Sequence, residues 1–279
     1  MKYKIVADSS CNLFSLPDVD FTSVPLKVLS GNREYVDNAH LDVGEMVATL
    51  KAEKAAASTS CPNMLEWSEA FGDADQVFAI SLTSKLSGSY NAALQAAGEF
   101  KRENPERRIM VLDTLSAGPE LQLIAEKLRE CILSGGTFEQ IRKTVREYSK
   151  HTHLLFSLQS LDNFAKNGRC SLALAKMVGV LGIRVVGKAS DEGTLEPLAK
   201  VRGEQKSLET LLNELARGNF RDGKVRIAHC FNLKSAETLK TMILDCFPGS
   251  DVEIISCGGL CSYYADLGGL LVAYEDGNR

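Results

Sequence analysis

Short apolar runs alternate with stretches of helical period through the first half of the chain. Residues 3–10, YKIVADSS, read as a strand that breaks into a polar turn, and residues 76–82, QVFAISL, as a buried strand. Behind the second run, Tyr90, Ala93, Leu94, Ala97 and Phe100 fall at helical spacing, so a helix is predicted from about Ser89. RRIMVLDT (107–114) leads through LSAG into PELQLIAEKLRECIL, with Pro119 suited to a first helical turn. TFEQIRKTVREYSKH (137–151) predicts a further helix, with Thr137 as its cap and Glu139 behind it. KAEKAAASTS (51–60) reads as a fraying helix end before a loop. Alternating strands and helices of this kind predict a parallel α/β sheet.

The pattern then changes. THLLFSL reads as a strand, LDNFAKNGR as a short helix ended by Asn167 and Gly168, and LALAKMVGVLG as helical. RVVGKAS and LEPLAKVRG flank a Gly-containing turn, which predicts a hairpin. KVRIAHC, DVEIISC and GGLLVAYE read as strands, and SAETLKTMILDCF as a helix. The fold class expected is α/β with two domains. Residues 1–155 would hold a parallel, Rossmann-like sheet, and residues 156–279 an α+β domain.

In parallel sheets, ligands gather where strand C-termini meet helix N-termini. Three hydroxyl-rich turns, at Ser9-Ser10, Thr83-Ser84 and Thr114 to Ser116, lie at such ends. At the mouth of the alanine-rich helix, Ser87-Gly88-Ser89 admits two readings. The serines could cap the helix, or they could cradle an anion with the free backbone N–H groups.

The 279 residues carry a formal net charge of −4 and no basic block, which argues against a nucleic-acid surface. No apolar run reaches membrane-span length and the N-terminus has no signal-peptide core, so a cytoplasmic location is expected. The 8 cysteines are scattered and read as reduced thiols, with neither a disulfide framework nor a zinc site expected. No cofactor motif is present, and without a Gly-Lys-Ser/Thr loop no self-contained phosphoryl transfer is expected.

Several segments, in order, resemble the DegV family of bacterial fatty-acid-binding proteins. KIVADSS and VPLKVLSGNREYVDN are similar to the family's opening. TSCPN resembles its Thr-Ser-x-Pro-Ser loop, and TSKLSGSYNAA its Ser-Ser-x-Leu-Ser-Gly-Thr-Tyr turn. GRCS resembles Gly-Arg-Ile-Ser, EPLAKVRG the Lys-Val-Arg segment, and IAHCFN a late strand with His-x-x-Asn. The resemblance implies a non-enzymatic carrier that holds a long-chain fatty acid between its two domains and presents it to a separate ATP-dependent kinase subunit. It also implies that the carboxylate is held near the Thr-Ser-x-Pro loop, the Leu-Ser-Gly turn, the Arg of Lys-Val-Arg and a late His.

The ligand residues expected are therefore Thr59, Ser60, Ser87, Gly88, Ser89, Arg202 and Tyr264. A buried carboxylate needs hydroxyls, N–H groups or a guanidinium, and a long acyl chain gains on the order of 10 kcal/mol at ~0.8 kcal/mol per buried methylene. Simpler readings stand beside these. Thr59 and Ser60 could build a turn, Arg202 could be a surface charge, and Asp8 and Asp113 could cap local amides. Arg169 could pair with structural carbonyls or a carboxylate, and His229 could be a satisfied core residue. An enzyme using Ser87 as nucleophile, or a lipid-responsive regulator, are the other functions considered. The chain departs from the family before its last strand, where CSYYADLGG replaces Gly-Thr-His-x-Gly-Pro-Gly and Tyr264 stands in the place of the histidine. The family's Ser-x-Gly-x-Gly is partly kept, as Ser116, Gly118 and Glu120.

Overall fold

The computed structural model describes residues 2–53, 57–176, 178 and 182–278. The chain opens with strand β1 (Tyr3–Asp8), a 3-10 turn (Ser9–Cys11), and strands β2 (Phe21–Val24), β3 (Lys27–Ser30) and β4 (Arg33–Val36). Helix α1 (Val43–Glu53) precedes β5 (Ala57–Ser60), α2 (Met64–Phe71), β6 (Gln76–Ser81) and α3 (Ser89–Glu103). Then come β7 (Arg108–Asp113), α4 (Pro119–Leu133) and α5 (Phe138–Tyr148). The second half begins with β8 (Thr152–Leu158), α6 (Asp162–Lys166), α7 (Leu172–Lys176), β9 (Ile183–Ala189) and β10 (Leu195–Arg202). It closes with α8 (Glu204–Arg217), β11 (Lys224–His229), α9 (Leu233–Cys246), β12 (Asp251–Ser256), α10 (Gly259–Ala265) and β13 (Leu270–Glu275).

Strands β2, β1, β6 and β7 form a parallel sheet in that order, as the alternating pattern predicts. β6 is buried at every position, which suits a strand covered on both faces. Trp67, Phe71, Ala93 and Phe100 pack against one face. Leu121, Ile124, Phe138 and Ile141 pack against the other. Both flanking helices start where the sequence puts them: α4 has Pro119 in its first turn, and Thr137 caps α5. The partner in the Thr137 capping box is Gln140, one residue beyond Glu139.

The second sheet has the order β10-β9-β8-β13-β11-β12, antiparallel except for the β11–β12 pair. The expected hairpin is its β9–β10 edge, with a register shift between Pro197 and Ala199. Leu208, Leu211, Leu239 and Ile243 cover one face of this sheet. Its other face joins the first half, so that Leu154 and Ala273 share a core cluster with Phe78 and Leu121. A partly buried ion pair reinforces the junction: Arg226 on β11 donates to both carboxylate oxygens of Glu126 on α4, at 2.8 and 2.7 Å. The expected domain boundary near residue 155 falls inside β8.

Some local readings change. Residues 57–60 form a strand and not a loop, because β5 pairs antiparallel with β3 and completes a small sheet of order β4-β3-β5. This sheet, together with β2, α8 and α10, goes beyond the elements predicted above. Of the helical stretch LALAKMVGVLG, helix α7 occupies Leu172–Lys176, while 177 and 179–181 lie outside the described residues. Among the described residues no helix is long and apolar enough to cross a membrane.

Candidate functional site

The site is assembled from the ends of β1, β5 and β6 and from the helix before β13. Asp8 ends β1 and is fully buried. Its carboxylate accepts hydrogen bonds from Ser10 Oγ (2.6 Å), Ser89 Oγ (2.8 Å) and the Leu82 N–H (3.0 Å). Burial pushes this carboxyl up from its ordinary value, and the three donors oppose that shift. The result is to fix the start of α3 against the end of β1. Asp113 works in the same way, accepting from the Ser84 and Leu115 N–H groups at 3.1 Å each. Asp113 thus caps turn amides, whereas Asp8 holds two hydroxyls and the N–H of Leu82, 74 positions along the chain, and neither is in the cavity lining.

A second carboxylate positions α10 from far away in the chain. Asp37 accepts from the N–H groups of Gly259 (2.6 Å) and Leu260 (3.0 Å) and from Ser9 Oγ (2.8 Å). These bonds satisfy the orphan donors of the helix start and suit its dipole. Burial raises the Asp37 carboxyl as well. With its N-terminus held, α10 presents Tyr263 and Tyr264 to β5. The Tyr264 and Thr59 hydroxyls lie 2.8 Å apart, and Tyr263 donates to the Ala57 carbonyl at 2.8 Å. The Tyr264 ring stacks near Phe164 at 4.7 Å between centroids. Burial raises the Tyr264 phenol, so it stays neutral and able to donate.

Between these elements lies a cavity of about 320 Å³. Its walls are mainly apolar, with Leu82, Leu154, Phe156, Leu158, Leu260 and Leu271 from both halves of the molecule. Its polar lining gathers Thr59, Ser60, Ser87, Gly88, Tyr264 and the cations Arg169 and Lys188. Ser87 Oγ accepts from the Ser89 N–H at 3.2 Å, so it caps the turn while lining the cavity. The two readings of the Ser-Gly-Ser stretch are therefore compatible at this position.

Two expected residues stand elsewhere. Ser89 is buried on Asp8 and does not line the cavity, because the first helical residue points back to the strand end. Arg202 sits exposed at the end of β10, outside the cavity lining. The guanidinium at the cavity is that of Arg169, which lies just past the Gly168 turn that ends α6. Its Nε donates to the Leu86 carbonyl at 3.1 Å and its Nη1 to the Asn167 carbonyl. Nη2 has no hydrogen bond among the described residues. The carbonyl pairing was legible in the sequence; the proximity to the cavity was not. His229 is half-buried, accepts from the Asn232 N–H at 3.3 Å and is not in the lining. Of the three hydroxyl-rich turns, the second and third reach the cavity through Thr83 and Ser116. Ser9 and Ser10 are turned inward onto Asp37 and Asp8.

The β9–β10 hairpin tip closes one side. Thr83 Oγ1 donates to the Gly193 carbonyl at 2.8 Å. Gly193 has φ +83°, and a Cβ there would stand 2.3 Å from Thr83 Oγ1, so only glycine lets the tip settle on the turn. Cys61 also lines the cavity, its sulfur 3.1 Å from where a Cβ on Gly88 would be. Among the described residues no group of three or more His, Cys, Asp or Glu side chains is placed to hold a metal ion.

Comparison with known proteins follows the same lines. The family model described as "Uncharacterised protein, DegV family" matches residues 2–275. A DegV domain-containing protein of Streptococcus pneumoniae is 40% identical over 279 residues, covering 99% of both chains. The crystal structure of the Streptococcus pneumoniae Fatty Acid Kinase (Fak) B3 protein loaded with linoleic acid has a TM-score of 0.97 and 40% identity, covering 99% of each chain. A DegV family protein from Eubacterium eligens loaded with heptadecanoic acid has a TM-score of 0.96 and 39% identity, covering 98% of this chain and 99% of that one.

Proposed function

This chain belongs to the DegV family, and from that premise we propose that it binds a long-chain fatty acid and presents it to a separate, ATP-dependent kinase subunit. The observation that carries the proposal is the cavity itself, whose walls are mainly apolar and whose polar lining supplies hydroxyls, thiols, N–H groups, the Arg169 guanidinium and the Lys188 ammonium. That lining is matched to a carboxylate, and the leucine and phenylalanine walls to an acyl chain. The fatty-acid-loaded proteins of the same fold support it.

In this reading Thr59, Ser60, Ser87 and the Gly88 N–H hold the carboxylate, Arg169 supplies charge, and Tyr264 donates from beside Thr59. The protein acts as a carrier, and phosphorylation of the carboxylate belongs to the partner subunit. The lipid lies between two lobes that meet near residue 155, inside β8, and the setting is cytoplasmic. A hydrolase or transferase using Ser87 is less well supported, since among the described residues no histidine lines the cavity to serve as its base. Mass spectrometry of lipid extracted from the purified protein tests the proposal. About one fatty acid per chain is expected; a protein that neither carries fatty acid nor takes it up when offered would refute it.

A further inference from the structure

Helix α10 borders two cavities. The second, of about 500 Å³, lies between α1, α6 and α10. Tyr264 lines the first and Tyr263 the second, with ring centroids 4.9 Å apart. Other elements are shared in the same way: β5 gives Thr59 to the first and Ala57 to the second, and α6 gives Phe164 to the first and Asn163 to the second. The second cavity has its own chemistry. Lys51 in the last turn of α1 and Lys166 at the end of α6 both line it, and neither ammonium has a carboxylate partner among the described residues. Asp266, just past α10, adds a carboxylate, and Gln159 an amide. Ser160 Oγ accepts from the Asp162 N–H at 3.1 Å, which leaves its own proton free to donate. Val47 and Leu50 supply an apolar side.

We propose that this second cavity binds a sugar or polyol phosphate, and that its occupancy strengthens fatty-acid binding across the wall the two cavities share. A phosphate ester carries roughly 1.5 to 2 negative charges at neutral pH, which two ammonium groups match; a single carboxylate would leave one of them unanswered. The Asp266 carboxylate and the Gln159 carbonyl accept from hydroxyls, and the carbon skeleton rests on Val47 and Leu50. The volume falls within the range of small-molecule sites. The link to the first cavity runs through Asn167. Its Nδ2 donates to the Tyr263 hydroxyl at 2.9 Å, and its carbonyl accepts from Arg169 Nη1. A ligand held between Lys166 and Tyr263 therefore steadies Asn167, and with it the guanidinium of the first cavity. The site rests on the second cavity alone; the coupling rests on the fatty-acid reading above.

Titration calorimetry of glucose 6-phosphate, inorganic phosphate and glucose into the full-length protein tests the site. Glucose 6-phosphate should bind, and glucose should give no measurable heat. Lys51→Ala combined with Lys166→Ala should lower the affinity for glucose 6-phosphate at least about tenfold, through the loss of two charge-assisted hydrogen bonds. Both lysines are exposed, so the fold tolerates the change. Asp266→Asn, which suits the same left-handed backbone at φ +55°, should narrow the advantage of glucose 6-phosphate over inorganic phosphate. No binding of glucose 6-phosphate, equal affinity for glucose, or binding that survives the double lysine change overturns the site. Repeating the titration with a saturating C18 cis-9 monounsaturated acid tests the coupling. Affinity for glucose 6-phosphate should rise about fivefold or more, and the fatty acid should gain the same factor when the sugar phosphate is present. Asn167→Ala should remove that factor while both ligands still bind; if this variant folds poorly, the wild-type pair of measurements decides. An affinity for glucose 6-phosphate unmoved by bound fatty acid overturns the coupling and spares the site. Failure of the wild type to bind fatty acid overturns the fatty-acid reading and the coupling with it, while the lysine-dependent binding of sugar phosphate is judged on its own.

Discussion

At the scale of single residues, the site turns on which guanidinium reads the headgroup. Arg169 lines the cavity and its Nη2 makes no hydrogen bond among the described residues, whereas Arg202 is exposed at the end of β10. Arg169→Ala should weaken binding of a fatty acid more than of the matched fatty alcohol. The difference expected is roughly 10- to 100-fold, from about 1.5–3 kcal/mol for a hydrogen bond to a charged group. Arg202→Ala should leave both affinities unchanged. Equal losses for acid and alcohol in Arg169→Ala would assign that residue to the Leu86 and Asn167 carbonyls alone. Tyr264→Phe removes the hydroxyl that meets Thr59 and should cost fatty-acid affinity about 3- to 10-fold, from roughly 0.5–1.5 kcal/mol for a neutral hydrogen bond. Tyr264→His, which places there the residue that the resemblance implies, should recover part of it; titration calorimetry on the three proteins reads the order.

At the scale of elements, the cavity depends on pieces clasped by few bonds. The β9–β10 tip rests on the β6–α3 turn through Thr83 and Gly193. Thr83→Val keeps the shape of the side chain and removes the donor, leaving the Gly193 carbonyl without that partner. Thermal or denaturant unfolding without ligand should show a loss of about 1–3 kcal/mol, the usual cost of an unsatisfied buried group. Amide exchange across residues 190–194 should speed up more than in β8. Exchange that rises uniformly along the chain would assign the bond to global stability and not to the hairpin.

For the molecule as a whole, the two ends of the second half are tied by a carboxylate shared between imidazoles. Asp276, just past β13, lies 3.2 Å from His151 Nδ1 and 3.1 Å from His153 Nε2, beside β8. Burial would raise its carboxyl, but the Asn278 N–H and the two histidines outweigh that and hold it below the ordinary value. A carboxyl depressed in the folded state stabilises the fold above its ordinary pKa, and the contribution disappears as pH falls through the folded value. Stability of the wild type should therefore decline below about pH 4 more steeply than that of Asp276→Asn. Denaturant unfolding at a series of acid pH values measures both slopes, and parallel curves would show that the tie is not linked to this carboxyl.

Much of this protein could be read along the chain. The strand–helix alternation, the Pro119 start of α4, the Thr137 cap, the Asn167-Gly168 stop and the β9–β10 hairpin all follow from local torsional preference and from periods of two and 3.6 residues, information carried within a few positions. The hydroxyls at strand ends were legible for the same reason, since the turn that ends a strand is written in its own residues. What the residues face was decided only in the tertiary structure. Ala57–Ser60 has no apolar alternation to mark it as a strand and becomes one by pairing with β3. Tyr264 reaches Thr59 because Asp37 caps α10 from 222 positions away. The same applies to Arg169, and not Arg202, standing at the cavity. Each of these depends on packing between segments distant in sequence, whose geometry is set when the two sheets close on one another, and no local pattern encodes it.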